Sequence, residues 1–288
     1  MSTLVLPAFD LLMPQTLKEA VGFLGQLEKD VAVLAGGTDL LVQMKAGLRP
    51  PYVLSLAEVP DLAYVAPLGS GGLKIGAMAT MRHVVESQAV KERYVALWQA
   101  AAQNGTPQTR NAATVVGNIL RASPAGDCSC AILAHGAKVA LEGPAGRRHV
   151  DIDQFWLDYM VTARQPYEVA VEVELSAPKA NTRSAFKAMN RNSQDLSKIS
   201  GAVSLEMDGD TCRDCRIAMG AVAPMPVRLP QAEACLKGKK ITETALEKMA
   251  ETAQSEIRPI DDVRSTAEYR RAVTGVLLKR IIKAALTG

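Results

Sequence analysis

Val31-Ala-Val-Leu-Ala-Gly-Gly-Thr-Asp-Leu40 carries the strongest local signal in this chain of 288 residues. Its first five residues are apolar and predict a short buried strand, which ends at Gly36-Gly37. An amphipathic helix is expected before the strand, since Thr16-Leu-Lys-Glu19 forms a capping box. Another helix is expected to begin near Asp39. This order of elements is typical of a mixed α/β architecture.

The turn between this strand and the next helix has the composition of an anion site. Glycines adopt positive φ and carry no Cβ that would block a ligand, and successive backbone N–H groups in such a turn surround an anion. Thr38 adds a hydroxyl donor. The spacing matches neither the Rossmann nor the Walker motif. A plain tight turn explains the same residues, so the motif alone leaves both interpretations open.

A second polar segment, Asn111-Ala-Ala-Thr-Val-Val-Gly-Asn118, is followed by Ser123-Pro-Ala-Gly-Asp127. The pattern from Thr109 to Gly126 predicts neither a helix nor a strand. Its side chains and backbone suit a polar ligand, but an ordinary surface loop has the same composition. The residues alone leave these alternatives open as well.

A change in composition predicts a domain boundary at Ser176-Ala-Pro-Lys-Ala-Asn-Thr182. We therefore expect one domain over 1–176, with two α/β subdomains, and a second over 177–288. In the second domain, three strand patterns precede a helical region, which predicts a three-stranded meander followed by helices. The fold class expected from these patterns is α+β.

Overall composition excludes several classes of protein. Apolar residues make up 48%, aromatic residues 4%, and the net charge is +3. The balance favours a globular core over a disordered chain. The charge is too mild and the aromatics too few for nucleic-acid binding. No apolar run is long enough to span a membrane, and the first ten residues lack the features of a signal peptide. We expect a cytoplasmic protein.

The two polar segments together resemble a known family. Ala35-Gly-Gly-Thr-Asp-Leu40 is similar to the first FAD loop of the FAD-binding medium subunits of molybdenum hydroxylases. Gln108-x-Arg110-Asn111-x-x-Thr114-x-x-Gly117-Asn118 is similar to the second. The family includes subunits of carbon monoxide dehydrogenase, xanthine dehydrogenase and 4-hydroxybenzoyl-CoA reductase. The resemblance continues in order through Val222-Ala-Pro-x-Pro-x-Arg228 to Glu268-Tyr-Arg270 and so covers nearly the whole chain.

The resemblance implies a fold, a cofactor and partners. The fold would be a two-part FAD-binding domain of the vanillyl-alcohol-oxidase-like type, followed by an α+β domain with an antiparallel sheet and a helical bundle. FAD would be bound noncovalently. A large subunit would hold molybdopterin, a small subunit would hold [2Fe–2S] clusters, and NAD or another acceptor would exchange electrons with the flavin. The assembly would be a dimer of heterotrimers.

The resemblance also assigns site residues in this chain. The first loop would hold the pyrophosphate, and Lys187 would be a cation near the flavin. Ala170 falls where some relatives place a leucine that touches FAD. No catalytic residue and no metal ligand is assigned to this chain. The implied cofactor-binding residues are Val33, Leu34, Ala35, Gly36, Gly37, Thr38, Asp39, Leu40, Thr114, Gly117, Asn118, Asp127, Ala170 and Lys187.

One departure from the family pattern falls inside the second segment. Val116 occupies the position of a family glycine, and valine is a steric outlier at positive φ. We expect the backbone there to relax to an ordinary β conformation, because Gly117 and Asn118 tolerate left-handed conformations. The departure leaves the geometry of the flavin site open and does not affect the expected fold.

Five cysteines offer another interpretation. Cys128-x-Cys130 and Cys212-x-x-Cys215 contain enough thiols for zinc or an iron–sulfur cluster. However, Cys212-x-x-Cys215 falls on an expected strand, where alternation directs the two side chains to opposite faces. Free thiols are therefore the favoured prediction.

Three functions remain open at this stage. The first is an electron-transfer flavoprotein subunit of a molybdenum hydroxylase. The second is a paralogue that keeps the fold and its partners but binds FAD weakly or not at all because of Val116. The third is a free-standing flavin oxidoreductase. The yellow colour of the purified chain separates the first two, and co-purification with partner subunits separates the first from the third.

Overall fold

The computed structural model describes residues 5–192 and 194–287. The chain opens with a parallel three-stranded sheet in which β3 lies between β1 and β2. The Thr16 hydroxyl accepts a hydrogen bond from the Glu19 N–H and caps α1, as the capping box predicts. These elements are β1 (Asp10–Leu12), α1 (Leu17–Leu27), β2 (Val31–Leu34), α2 (Leu40–Lys45) and β3 (Tyr52–Ser55).

Six helices then follow two short strands. Two of the helices contain most of the second polar segment. Threonine or serine side chains cap four of them, which explains why helices this short are stable in a polar segment. In order, the elements are β4 (Val65–Pro67), β5 (Leu73–Gly76), α3 (Met81–Glu86), α4 (Gln88–Arg93), α5 (Val95–Gln103), α6 (Pro107–Ala112), α7 (Val115–Leu120) and α8 (Asp127–His135).

The second sheet is antiparallel, with the order β4-β5-β10-β6-β7, and a separate hairpin is formed by β8 and β9. Its central strand, β10, pairs Val173 with Ile75 on one side and with Val139 on the other. The buried face of this sheet contributes to the first hydrophobic core. The new strands are β6 (Lys138–Gly143), β7 (Gly146–Asp151), β8 (Trp156–Asp158), β9 (Val161–Thr162) and β10 (Val169–Leu175).

The remaining elements form a third sheet with helices packed against it, around a second core. Three long strands form a meander, as the sequence predicts, and two short strands extend it. The helix α11 covers this sheet with a buried stripe that includes Leu278 and Ile282. The elements are β11 (Thr182–Met189), β12 (Ile199–Asp208), β13 (Thr211–Gly220), β14 (Val227–Arg228), α9 (Pro230–Leu236), β15 (Lys239–Lys240), α10 (Glu243–Glu256) and α11 (Ala267–Thr287).

The α+β fold class is confirmed. The boundary between 1–176 and 177–288 remains a prediction; it falls in the connection between β10 and β11. None of the helices within 5–192 and 194–287 is both long and apolar enough to cross a bilayer.

The expectation of a non-helical block from Thr109 to Gly126 was wrong. Helix α7 lies inside this block, and the last turn of α6 begins it. The Thr106 hydroxyl caps α6, and the Thr114 hydroxyl caps α7. Helices of six residues are too short to show a 3.6-residue period, so their capping residues are the only local signal.

The expectation that Cys212 and Cys215 point to opposite faces was also wrong. A β-bulge shifts the register of β13 against β12, so that Glu206 pairs with Asp214 while Met207 pairs with Cys212. The extra residue restores a common face, and both thiols are buried in the second core.

Candidate functional site

A single large cleft gathers the two polar segments that the sequence singles out. Its volume is about 670 Å³, and its walls come from the loop after β2, from α7 and the turn that follows it, from β9 and β10, and from loops of the C-terminal region. A volume in this range suits a sizeable small-molecule ligand. The two loops are more than seventy residues apart in sequence, so only the fold brings them together.

The first loop presents a row of free backbone donors. Among the described residues, the N–H groups of Gly36, Gly37, Thr38 and Asp39 donate no hydrogen bond. Gly37 adopts a φ of +72°, the left-handed conformation that a glycine tolerates best. Consecutive unpaired N–H groups in this arrangement form an anion nest. The anion-site interpretation is therefore favoured over the plain tight turn.

The second segment is anchored to the start of α3 and capped by one of its own side chains. The N–H of Met81 donates to the carbonyl of Ala113 over 2.8 Å. The Thr114 hydroxyl accepts from the N–H of Gly117 over 3.0 Å and so defines the start of α7. A Cβ at Gly117 would stand 2.8 Å from that hydroxyl, so the glycine is required by the cap itself. Thr114 is thus a structural cap at the edge of the cleft.

Asn118 has an unpaired hydrogen-bond acceptor in the cleft. Its side-chain oxygen is buried, and the residues the structure describes provide no partner for it. An unsatisfied buried acceptor costs free energy unless a ligand or water pairs with it. Asn118 lines the cleft, so a ligand donor placed there would satisfy it.

Asp127 places a nearly buried carboxyl group at the start of α8, where it also lines the cleft. The Ser197 hydroxyl donates to its Oδ1 over 3.0 Å. Burial raises the pKa of this carboxyl to about 6, and the hydrogen bonds from Ser197 and Asn104 oppose the shift only in part. Because Ser197 belongs to the β11–β12 connection, Asp127 joins the N-terminal part of the cleft to the C-terminal part.

Val116 has an ordinary backbone, but its conformation differs from the one expected. It lies in the first turn of α7 and is absent from the residues with positive φ. The expectation of a β conformation was therefore wrong. The Thr114 cap starts α7 at Val115, so Val116 is already helical. The side chain is 1% exposed and lines the cleft while packing in the first core.

The structure brings together most of the residues that the resemblance implies. Leu34 and Lys187 are the two that do not line the cleft; Lys187 lies on β11, opposite Gly201 of β12. Ala170, on β10, does line it. The cleft-lining members of the implied set are Val33, Ala35, Gly36, Gly37, Thr38, Asp39, Leu40, Thr114, Gly117, Asn118, Asp127 and Ala170.

Sequence reasoning missed three cleft-lining arginines. Arg121 pairs with Asp39 of the first loop over 2.9 Å. Arg164 donates to the Glu168 carbonyl over 2.7 Å, and burial lowers its pKa. Arg264 comes from the connection between α10 and α11. Isolated arginines carry no local signal for a site, although Arg264 lies close to the Glu268-Tyr-Arg270 motif.

The cysteines belong to the hydrophobic cores. All five are free and buried. Burial raises the pKa of Cys130 to about 12 and that of Cys128 well above its usual value. Within the described ranges, no cluster of three or more His, Cys, Asp or Glu side chains has an arrangement suited to a metal ion.

Two family models match the chain. The FAD-binding domain in molybdopterin dehydrogenase matches residues 7–178, and the CO dehydrogenase flavoprotein C-terminal domain matches residues 184–285. The carbon monoxide dehydrogenase medium chain of Hydrogenophaga pseudoflava is 34% identical and aligns over 97% of each chain. The nicotinate dehydrogenase FAD-subunit of Eubacterium barkeri is 30% identical over 95% of each.

A solved structure agrees with these relatives. Carbon monoxide dehydrogenase from Hydrogenophaga pseudoflava, in a form lacking the Mo-pyranopterin moiety of its molybdenum cofactor, matches with a TM-score of 0.95 and 35% identity over 99% of each chain. This chain therefore belongs to the family of FAD-binding medium subunits of the molybdenum hydroxylases, which are oxidoreductases. The family resemblance seen in the sequence motifs is confirmed.

The residues present fit FAD. The cleft has sufficient volume, and the first loop offers free N–H groups to a pyrophosphate. The buried Asn118 side-chain oxygen has no partner among the described residues and can accept a hydrogen bond from the ligand. These features agree with the FAD-binding domain that the family model defines.

Proposed function

We propose that this chain is the FAD-binding electron-transfer subunit of a multi-subunit molybdenum hydroxylase. It would pass electrons between the [2Fe–2S] clusters of a partner subunit and NAD or another acceptor. Bound flavin supplies the capacity to accept two electrons together and release them in steps. The observation that carries the proposal is one cleft lined both by the first loop, whose N–H groups are unpaired, and by the second polar segment.

The residues of the chain would hold the dinucleotide in an extended form. The N–H groups of Gly36, Gly37 and Thr38 would bind the pyrophosphate, because they are consecutive unpaired donors of residues that line the cleft. Asn118 and Asp127 would bind the rest of the cofactor with buried polar atoms. Thr114 and Gly117 would shape the segment through the cap described above.

The other implied residues have less direct roles. Val33, Ala35, Asp39, Leu40 and Ala170 would form the walls of the cleft. Leu34 would support the loop from β2. Lys187 would act on the flavin only at longer range, since it does not line the cleft.

The proposed assembly contains a large molybdopterin-binding subunit and a small [2Fe–2S] subunit, arranged as a dimer of heterotrimers in the cytoplasm. Full-length alignment with the carbon monoxide dehydrogenase medium chain supports this. The relatives act on different substrates by name, carbon monoxide and nicotinate. We therefore assign the choice of substrate to the large subunit.

The test has two parts. The chain is purified alone, its flavin is released by heat, and chromatography is expected to identify FAD; FMN alone would contradict the site. The chain is then expressed with its neighbouring genes, and native mass spectrometry is expected to show three kinds of subunit. Flavin without partners would favour a free-standing oxidoreductase, and partners without flavin would favour a structural paralogue.

A further inference from the structure

The connection between α10 and α11 brings a cation to the cleft that neither polar segment provides. Arg264 lines the cleft, and its side chain is 19% exposed. Its Nη1 donates to the Ser197 carbonyl over 3.2 Å, and Ser197 in turn donates to Asp127. The guanidinium is thus linked to the cleft carboxyl through one residue of the β11–β12 connection.

Asp262 holds the Arg264 guanidinium in place. Its Oδ2 accepts from Nη2 over 2.6 Å and from Nε over 3.2 Å. Burial opposes ionisation of Asp262, but the hydrogen bonds from Arg264 and Arg270 outweigh it and keep the pKa of this carboxyl well below its usual range. A guanidinium has more N–H donors than these bonds use, so Arg264 retains donors for a ligand in the cleft.

Arg270 anchors the same connection from α11. It is 1% exposed, and it donates from Nη2 to Asp262 over 2.7 Å and from Nη1 to the Ile260 carbonyl over 2.9 Å. A buried arginine is costly unless its charge is paired. Here the pairing fixes the turn that carries Arg264, which gives a physical role to the last residue of the Glu268-Tyr-Arg270 motif.

The neighbour of Ser197 indicates which part of the ligand lies beside Arg264. Leu196 lines the cleft and remains 66% exposed. An exposed leucine in a ligand cleft suits an apolar ring, whereas the free N–H groups that suit a pyrophosphate belong to the first loop, on the N-terminal part of the cleft. The wall formed by Leu196 and Arg264 therefore suits the flavin ring.

We propose that Arg264 contacts the flavin ring of the bound FAD and stabilises its reduced form, and that Asp262 and Arg270 are positioning residues for it. Two electrons and one proton, delivered to neutral flavin, leave the ring with one negative charge. A fixed guanidinium beside the ring favours that charge and raises the reduction potential. The inference rests on the proposed function, which supplies both the FAD and the electrons.

The test compares Arg264→Gln and Arg264→Lys with Arg280→Gln, which removes the same charge from an exposed position on α11. FAD affinity is measured by titrating the apoprotein, and the two-electron potential by equilibration with redox dyes. Arg264→Gln is expected to retain FAD. The equilibrium constant for two-electron reduction of its bound flavin is expected to fall about tenfold or more, and each tenfold change lowers the potential by about 30 mV. Arg264→Lys is expected to recover most of the shift, and Arg280→Gln is expected to show none.

Arg270→Lys tests the positioning role. It keeps the charge but loses the two-pronged contact with Asp262 and Ile260, so the potential is expected to fall while the apoprotein still unfolds cooperatively. An unchanged potential in Arg264→Gln, with or without weaker FAD binding, would overturn the role of Arg264 at the ring. Wild-type chain that binds no FAD would overturn the proposed function as well, so the two failures are distinguishable.

Discussion

A Cβ placed on Gly36 would overlap the backbone carbonyl of Ala112. The first polar loop and the end of α6 therefore meet backbone to backbone, and this contact sets the distance between the two segments that form the cleft. Because the obstructing atoms belong to the main chain, a rotamer change cannot relieve the overlap. A glycine is required here for packing, independently of any ligand.

Gly36→Ala is expected to separate the two segments, with loss of flavin and a loss of about 1–3 kcal/mol in the free energy of unfolding from overpacking. Flavin content and urea unfolding measure the two effects. Gly22→Ala is the control, because nothing lies within 4 Å of its added Cβ on α1. That variant is expected to gain roughly 0.5–1 kcal/mol. Normal flavin in Gly36→Ala would show that the cleft tolerates a shift of this contact.

Gly37→Asp is expected to abolish flavin binding while the chain stays folded. An added Cβ would stand 3.1 Å from Leu41 Cδ1 and 3.2 Å from Leu34 Cδ1 and would shift the loop, and the new negative charge would oppose the pyrophosphate. Gly238→Asp is the control for backbone strain: its φ of +73° is nearly the same as the +72° of Gly37, and its added Cβ meets nothing within 4 Å. Backbone strain is therefore similar in both, and flavin content measures the difference. Equal flavin in the two variants would remove the assignment of the first loop.

Val116→Gly is expected to reduce stability without weakening FAD binding. The variant removes a side chain buried in the first core and places glycine within α7. These changes together cost on the order of 2–3 kcal/mol. Flavin titration of the folded apoprotein, with thermal unfolding alongside, separates affinity from stability. A clear loss of affinity would indicate that Val116 makes a favourable contact with FAD.

Asp127→Asn is expected to stabilise the apoprotein at about pH 8 and to have little effect on stability near pH 4. The folded pKa of about 6 lies above the usual 3.8 of an aspartate. Well below pH 4 the carboxyl is neutral in both states, and at pH 4 only about half of the unfolded chains have lost the proton, so the cost there is small; above pH 6 the folded state buries a carboxylate, which costs up to roughly 3 kcal/mol. Thermal unfolding at both pH values measures the gain. The exposed Asp210→Asn is the control, and an equal gain at both pH values would exclude the titration of Asp127 as the cause.

Thiol labelling is expected to be slow in the folded chain and complete in urea. All five cysteines are buried, and Cys235, at 8% exposed, is the most accessible. Burial disfavours the thiolate at Cys128 and Cys130, which slows their reaction further. Mass spectrometry after brief alkylation is expected to find Cys235 modified first. Rapid modification of Cys128 would mean that the first hydrophobic core becomes accessible to solvent.

The strand, the Gly-Gly turn and the meander were predictable from the sequence, because each depends on a local pattern of apolar residues and turn residues. The short helices α6 and α7 were not, since six residues show no clear period and only Thr106 and Thr114 mark their starts. The common face of Cys212 and Cys215 depends on a β-bulge, which alternation alone does not predict.

Within the site, the two polar segments and the family to which they belong follow from the sequence alone, because backbone freedom at glycine and short motifs are local properties. Three features became visible only in the folded chain: the unpaired oxygen of Asn118, the position of Lys187 outside the cleft and that of Arg264 within it. Burial, pairing and the choice among several arginines depend on chain segments about seventy residues apart, such as Asp127, Ser197 and Arg264. Those relationships arise where α8, the β11–β12 connection and the α10–α11 connection meet, which no local pattern encodes.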